Sequence, residues 1–121
     1  EEADFGTRIY FAAITKCFPG RKPGSSTDRL PSRVEQKLCR PWLDAELLAV
    51  NPPVVVLFGG LAIATFLSPA PLAELVGNVY PDPETPGRVF LPLPHSSGAS
   101  TWLNAAENRA RLDGAIARLR E

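Results

Sequence analysis

The residues with chemistry to offer are few. The chain has one histidine, His95, which opens the segment His95-Ser-Ser-Gly-Ala-Ser100 and is followed by Thr101, Trp102, Leu103 and Asn104. Before it runs the apolar stretch Arg88-Val-Phe-Leu-Pro-Leu-Pro94. A strand over that stretch would deliver His95 to the crevice where ligands bind in open α/β sheets, just beyond the carboxyl ends of strands. The small residues behind it let backbone N–H groups approach a ligand or a phosphate closely. The only two cysteines are Cys17, in Thr15-Lys-Cys-Phe-Pro-Gly20, and Cys39, in Glu35-Gln-Lys-Leu-Cys-Arg-Pro-Trp-Leu43. They read either as two buried or incidental thiols or as two ligands of a metal site. A disulfide is disfavoured without secretory context.

Other arrangements weigh less. Asp28, Asp44, Asp82 and Asp113 allow a Ser-His-Asp triad on paper. No Gly-x-Ser-x-Gly nucleophile elbow is present, so serine-hydrolase chemistry is discounted. Gly59-Gly60 would hold an anion at a helix N-terminus or simply make a tight turn. The turn is favoured, because both the dinucleotide and the phosphate-loop fingerprints are missing. Trp102 and Leu103 read either as core packing or as a wedge for a base stack.

The elements that must position these residues alternate. Residues 8–15 are short, apolar and rich in β-formers, and predict a buried strand. Phe18 to Pro31 carries three prolines and two glycines and reads as a loop. Ser32-Arg-Val-Glu35 matches a capping box and starts a helix with Val34, Leu38, Trp42 or Leu43, and Leu47 at helical spacing. Pro41 predicts a kink or break within it, and Pro52-Pro53 its end. Val54 to Phe58 reads as a strand buried on both faces, then a short helix over Leu61 to Leu67. Residues 68–87 are mostly loop, with one helical turn at Leu72 to Val76. Residues 88–93 predict a third strand. Asn104 is the expected cap of a last helix, with Glu107 at its capping-box position and Leu112, Ile116 and Leu119 on one face. Strand–helix alternation of this kind predicts an α/β fold, a parallel sheet with helices on both sides.

Composition bounds the rest. The chain has 121 residues, 45% hydrophobic, with zero formal net charge. That suits one domain, 1–121, and gives no global basic field. No apolar run approaches the roughly 20 residues that span a bilayer. No secretory signal is visible, so a cytoplasmic protein without a membrane partner is expected. There is no methionine, even at position 1. Glu1 is therefore expected not to be the translational start, with truncation favoured over maturation of a short leader.

Three ordered blocks together resemble the uracil-DNA glycosylase superfamily, most closely its iron–sulfur-containing bacterial and archaeal branches. The first runs from Tyr10 through Lys16-Cys17 to Arg29-x-Pro31-x-x-x-Glu35-x-x-x-Cys39. The second is Pro53-Val-Val-Val-Leu-Phe-Gly59-x-x-Ala62. The third is His95-Ser-Ser-Gly-Ala-Ser100, similar to a His-Pro-Ser-like motif. The resemblance covers about Arg8 to Leu119. It implies a three-layer α/β/α fold with a mostly parallel sheet, and a DNA-repair hydrolase of base excision repair. Such an enzyme flips out uracil or a related deaminated base and cuts its N-glycosidic bond. A monomer acting on DNA is expected.

By the same resemblance, His95 is the catalytic donor to the uracil O2. Ser97, Gly98 and Ser100 bind flanking phosphates, and Trp102 and Leu103 press into the duplex. Arg29 is a further DNA contact. Cys17 and Cys39 are ligands of a 4Fe–4S cluster, which takes four thiolates, so two further ligands are expected outside this chain. The departures are specific. Ser96 replaces a frequent Pro. Ala13 stands in the base pocket where many relatives have a uracil-reading Asn, which removes a hydrogen-bond pair and makes another deaminated base conceivable. The loop between Cys17 and Cys39 is longer than in close relatives. The family's first motif, with its water-activating acid, is not in the chain, so the chain is expected to be the C-terminal portion of a glycosylase-like domain. The alternative is a non-catalytic nucleic-acid-binding domain on the same scaffold.

Overall fold

The computed structural model describes residues 8–95 and 105–120. The chain divides into two compact units, residues 1–51 and 52–121.

In the first unit, helix α1 spans Arg33–Val50. Its start follows from the capping box. The Glu35 N–H donates to the Ser32 hydroxyl at 3.2 Å, and the Ser32 N–H donates to the Glu35 carboxylate at 2.7 Å. Two N–H groups that no helical carbonyl can reach are thereby satisfied. The expected break at Pro41 does not occur, and α1 is unbroken through it. The missing Pro41 N–H leaves the Lys37 carbonyl without its helical donor. Both residues are exposed, so water can take that place. Asn51 ends α1 in the left-handed region, φ 47°, and its N–H donates to the Leu47 carbonyl before the two prolines. Of the apolar stripe expected on α1, Leu43 alone is buried; Val34, Leu38 and Trp42 are exposed.

Residues 8–15 are not the buried strand their composition suggests. Residues 9–13 take no regular secondary structure, and Ile9, Tyr10 and Phe11 are exposed. A run of β-formers becomes a strand only where a neighbour completes its ladder, which composition alone does not supply. The Phe18–Pro31 loop is closed on itself by an antiparallel bridge between Arg21 and Asp28. The Lys22 N–H donates to Thr27 O at 2.9 Å, and the Arg29 N–H to Gly20 O at 2.8 Å.

The second unit is α/β, with strand β1 at Val54–Phe58, helix α2 at Gly59–Phe66 and one helical turn, α3, at Leu72–Leu75. Strands β2, Tyr80–Pro81, and β3, Val89–Leu93, and helix α4, Ala106–Leu119, follow. Among the described residues the sheet order is β1-β3-β2. β1 and β3 are parallel and β2 is antiparallel to β3. The sheet is thus small and mixed, where the resemblance implied a mostly parallel one. The two-residue β2 lies in a stretch read as loop; two residues carry no periodicity to detect.

Alternation along the strands gives the sheet two apolar faces. On one, Leu57 and Phe90 pack with Ile63 of α2 and Leu75 of α3, and Phe66 stacks on Phe90 with ring centroids 5.2 Å apart. On the other, Leu91 and Leu93 pack with Val76 and with Ala115 of α4, and Val56 and Leu112 are partly buried against them. β1 is less enclosed than its β-branched run suggests. Leu57 is its only buried residue, and Val54 and Phe58 are exposed. Among the described residues β1 is an edge strand, so composition overstated its burial. The N-cap position of α4 is Ala105, which makes no side-chain capping bond; the expected cap, Asn104, lies outside the described residues. Its buried residue is Ala115, while Ile116 and Leu119 are exposed.

Arg88 ties the start of β3 to the segment before β1. It is buried, its Nε donates to the Pro52 carbonyl at 3.0 Å, and its Nη1 lies 3.7 Å from Asp82 Oδ2. A buried guanidinium is tolerable when paired and hydrogen-bonded in this way.

Candidate functional site

The carboxyl ends of β1 and β3 lie level, since Phe58 pairs with Leu93 in their parallel register. Gly59 is the first residue past β1, and His95 the second past β3. This places His95 at the edge where open sheets bind ligands. The contact between the two is close. A Cβ built on Gly59 would meet His95 Cδ2 at 3.0 Å, Cβ at 3.3 Å and Cγ at 3.5 Å. All three are carbons, so the ring rests on Gly59 by its apolar side. Gly59 also has φ +82°, a conformation that L side chains rarely adopt. Helix α2 begins at this glycine, and its N-cap, Phe58, makes no side-chain capping bond. His95 itself is exposed. An exposed imidazole, seated on backbone at the end of a parallel pair, can present an N–H to a bound group.

Sequence reasoning took Gly59-Gly60 as a tight turn and missed its contact with the histidine. A signal was available: a glycine pair directly after one parallel strand is level with whatever follows the next. Ser97, Gly98, Ser100, Trp102 and Leu103, singled out as DNA contacts, lie outside the described residues.

The second constellation lies in the first unit. The Lys16 backbone N–H donates to Cys39 Sγ at 3.4 Å. Cys17 is the next residue, so the loop carrying one thiol is fastened to the sulfur of the other. Cys17 is exposed and Cys39 half-buried, and neither is in a disulfide. The Lys16 ammonium donates to Ala13 O at 2.7 Å and pairs with Glu46. Glu46 also accepts from the Tyr10 hydroxyl at 2.6 Å. The lysine, and then the phenol, hold the Glu46 carboxyl below the usual carboxylate range. The reciprocal hydrogen bond, backed by the carboxylate's charge, pushes the Tyr10 phenol above its ordinary value. Among the described residues no three His, Cys, Asp or Glu side chains are grouped to hold a metal ion.

The remaining sequence candidates have definite places. Ala13 is exposed, in a segment that is not a strand, and its carbonyl serves Lys16. Arg29 works within the fold. It donates from Nε to Pro19 O at 2.9 Å, from Nη1 to Leu30 O at 3.4 Å and from Nη2 to Glu35 Oε1 at 2.7 Å. Arg29, and then the Ser32 N–H, hold the Glu35 carboxyl below its ordinary range. The guanidinium so ties the loop to the start of α1.

The family model of the Uracil DNA glycosylase superfamily matches residues 1–120. The chain belongs to the uracil DNA glycosylase superfamily. Members of this superfamily are typically DNA glycosylases, hydrolases that act on DNA. No curated protein matches the chain. An α/β fold suits the superfamily, and the second unit carries helices and a small mixed sheet. No helix among the described residues is long and apolar enough to cross a membrane.

Proposed function

We propose that this chain serves a glycosylase that removes uracil or a related deaminated base from DNA. The whole domain would be three-layered with a mostly parallel sheet, working as a monomer in the cytoplasm. The observation that carries the reading is the seat of His95 at the carboxyl edge of the β1–β3 pair, on a glycine that starts a helix.

The chemistry follows from what that position can do. Hydrolysis breaks the bond between the sugar C1′ and the base nitrogen. The electron pair leaves with the base, so negative charge builds on the uracil O2; a water oxygen bonds to C1′ and gives up a proton, which ends on the released base. A fixed N–H donor aimed at O2 favours that charge only as it develops, in a site from which water is excluded. His95 is that donor. Ser97, Gly98 and Ser100 grip the flanking phosphates, while Trp102 and Leu103 fill the gap the base leaves. Arg29 adds chiefly its charge near the phosphates, because three of its five N–H donors serve Pro19, Leu30 and Glu35. Ala13 in the base pocket lacks the amide that reads a pyrimidine edge, which widens the set of bases to test.

Cys17 and Cys39 are proposed as two of the four thiolates of a 4Fe–4S cluster, with two further ligands from outside this chain. The N–H···Sγ bond supports this, since such bonds are among the means by which proteins tune cluster sulfurs. When bound, the cluster would cross-link the loop to α1.

The test is release of uracil or hypoxanthine from single- and double-stranded oligonucleotides by the full-length protein. Removing a donor of this type costs roughly 3–4 kcal/mol in the transition state. His95→Ala should therefore lose rate far more than DNA affinity. Salt-dependent DNA binding with no base release would instead favour the non-catalytic reading.

A further inference from the structure

Three bonds converge on Lys16, and two of them reach helix α1. Its backbone N–H donates to Cys39 Sγ, and its ammonium pairs with Glu46. The third holds the ammonium to the carbonyl of Ala13, in its own loop. Glu46 follows Cys39 by seven residues, which is two helical turns and the same face of α1. Lys16 therefore lies along that face, with its main chain at the Cys39 sulfur and its ammonium at the carboxylate of Glu46, a residue about 10 Å further along the helix axis. Glu46 is fastened at its other oxygen by the Tyr10 hydroxyl. Lys16 and Glu46 side chains are each only about a quarter exposed, 28% and 25%. A pair so shielded is screened less by salt than a surface pair.

We propose that the Lys16–Glu46 pair is a clamp that positions the Cys17 and Cys39 thiols together, so that both bind one thiophilic metal centre. Lys16 and Glu46 are positioning residues and do not themselves ligate. This rests on the proposed reading of the two cysteines as joint ligands. The clamp fixes the backbone one residue before Cys17 against the side chain of Cys39. Without it, the loop can swing from α1, and the two thiols bind independently and weakly. Partners that orient metal ligands typically matter by 10–100-fold in affinity.

Cadmium(II) alone serves as the probe, followed through the thiolate-to-cadmium charge-transfer band of the full chain. Cys17→Ala and Cys39→Ala should each abolish the band's two-thiolate intensity. If both leave it unchanged, the joint-ligand reading fails, whatever the clamp does. Lys16→Met, which keeps the backbone N–H, and Glu46→Gln should each weaken cadmium binding about 10-fold or more. The exchanged pair, Lys16→Glu with Glu46→Lys, should recover most of the loss. Helical circular dichroism identifies any variant that has not folded; if both single variants are lost that way, the exchanged pair decides. Folded single variants that bind cadmium like the unaltered chain, or an exchanged pair that folds without recovering affinity, overturn the clamp.

Discussion

The His95 side chain lies over Gly59 so closely that a Cβ on the glycine would stand 3.0 Å from the imidazole Cδ2. Non-bonded carbons sit comfortably at about 3.5–4.0 Å. Gly59→Ala therefore forces the ring to move, and also places an L side chain at φ +82°. The backbone term alone is about 1–2 kcal/mol. Base release should fall by more than that stability loss accounts for, and the imidazole resonances of His95 should shift in heteronuclear NMR spectra. Unmoved resonances in a folded Gly59→Ala protein would show that the glycine does not seat the histidine.

The Tyr10–Glu46 bond makes a prediction about pH. Glu46 has its carboxyl lowered, first by Lys16 and then by Tyr10, so its contribution is present above the ordinary carboxylate range and is lost as pH falls through the lowered value. Tyr10 has its phenol raised by Glu46, so its contribution is present below the ordinary phenol value and is lost as pH rises through the raised one. The network should thus survive from acid below the usual carboxylate range to alkali above the usual phenol range. Ultraviolet titration in a Tyr80→Phe background, which leaves Tyr10 as the only phenol, should show it ionising late. Adding Glu46→Gln should bring it back towards its ordinary value. A Tyr10 titration indifferent to Glu46 would contradict the bond.

Capping was the most legible feature in the sequence, and the reason is that it is local. Ser32 and Glu35 satisfy each other over three residues, so type and spacing suffice. Loss of the cap in Ser32→Ala should cost about 1 kcal/mol, or about 4 °C in the melting of a domain this size. Circular dichroism on heating checks this. The Glu35 carboxyl should also rise towards its ordinary range, since it loses part of its fixed geometry beside Arg29.

What depends on distant partners was harder to read. The apolar runs at 54–58 and 89–93 became strands because each supplies the other's ladder. The equally apolar run at 9–13 became none, since strand formation is a property of a pair. The position of His95 past a strand was readable, but its seat was not, as Gly59 is 36 residues away in sequence. The same holds for Lys16 and Cys39: the residues were visible, and the bond between a main-chain N–H and a sulfur was not.

Ala115 tests how closely α4 approaches the sheet. It is fully buried, at 0% exposure, among Val76, Leu91 and Leu93, while its neighbour Ile116 is 38% exposed. The sequence pattern favoured the larger residues Leu112, Ile116 and Leu119 as the packing face. The small residue holds the buried place beside the two leucines of β3. Ala115→Leu adds three carbons where protein interiors have no room, which typically costs about 1–3 kcal/mol. Ile116→Ala removes more volume from a half-open position and should cost less than a buried isoleucine would, well under the 2–5 kcal/mol of a core truncation. Urea unfolding of both variants gives the order: Ala115→Leu more destabilised than its change in hydrophobicity predicts, Ile116→Ala only mildly so. If Ala115→Leu is as stable as the unaltered chain, the helix stands further from β3 than its complete burial implies.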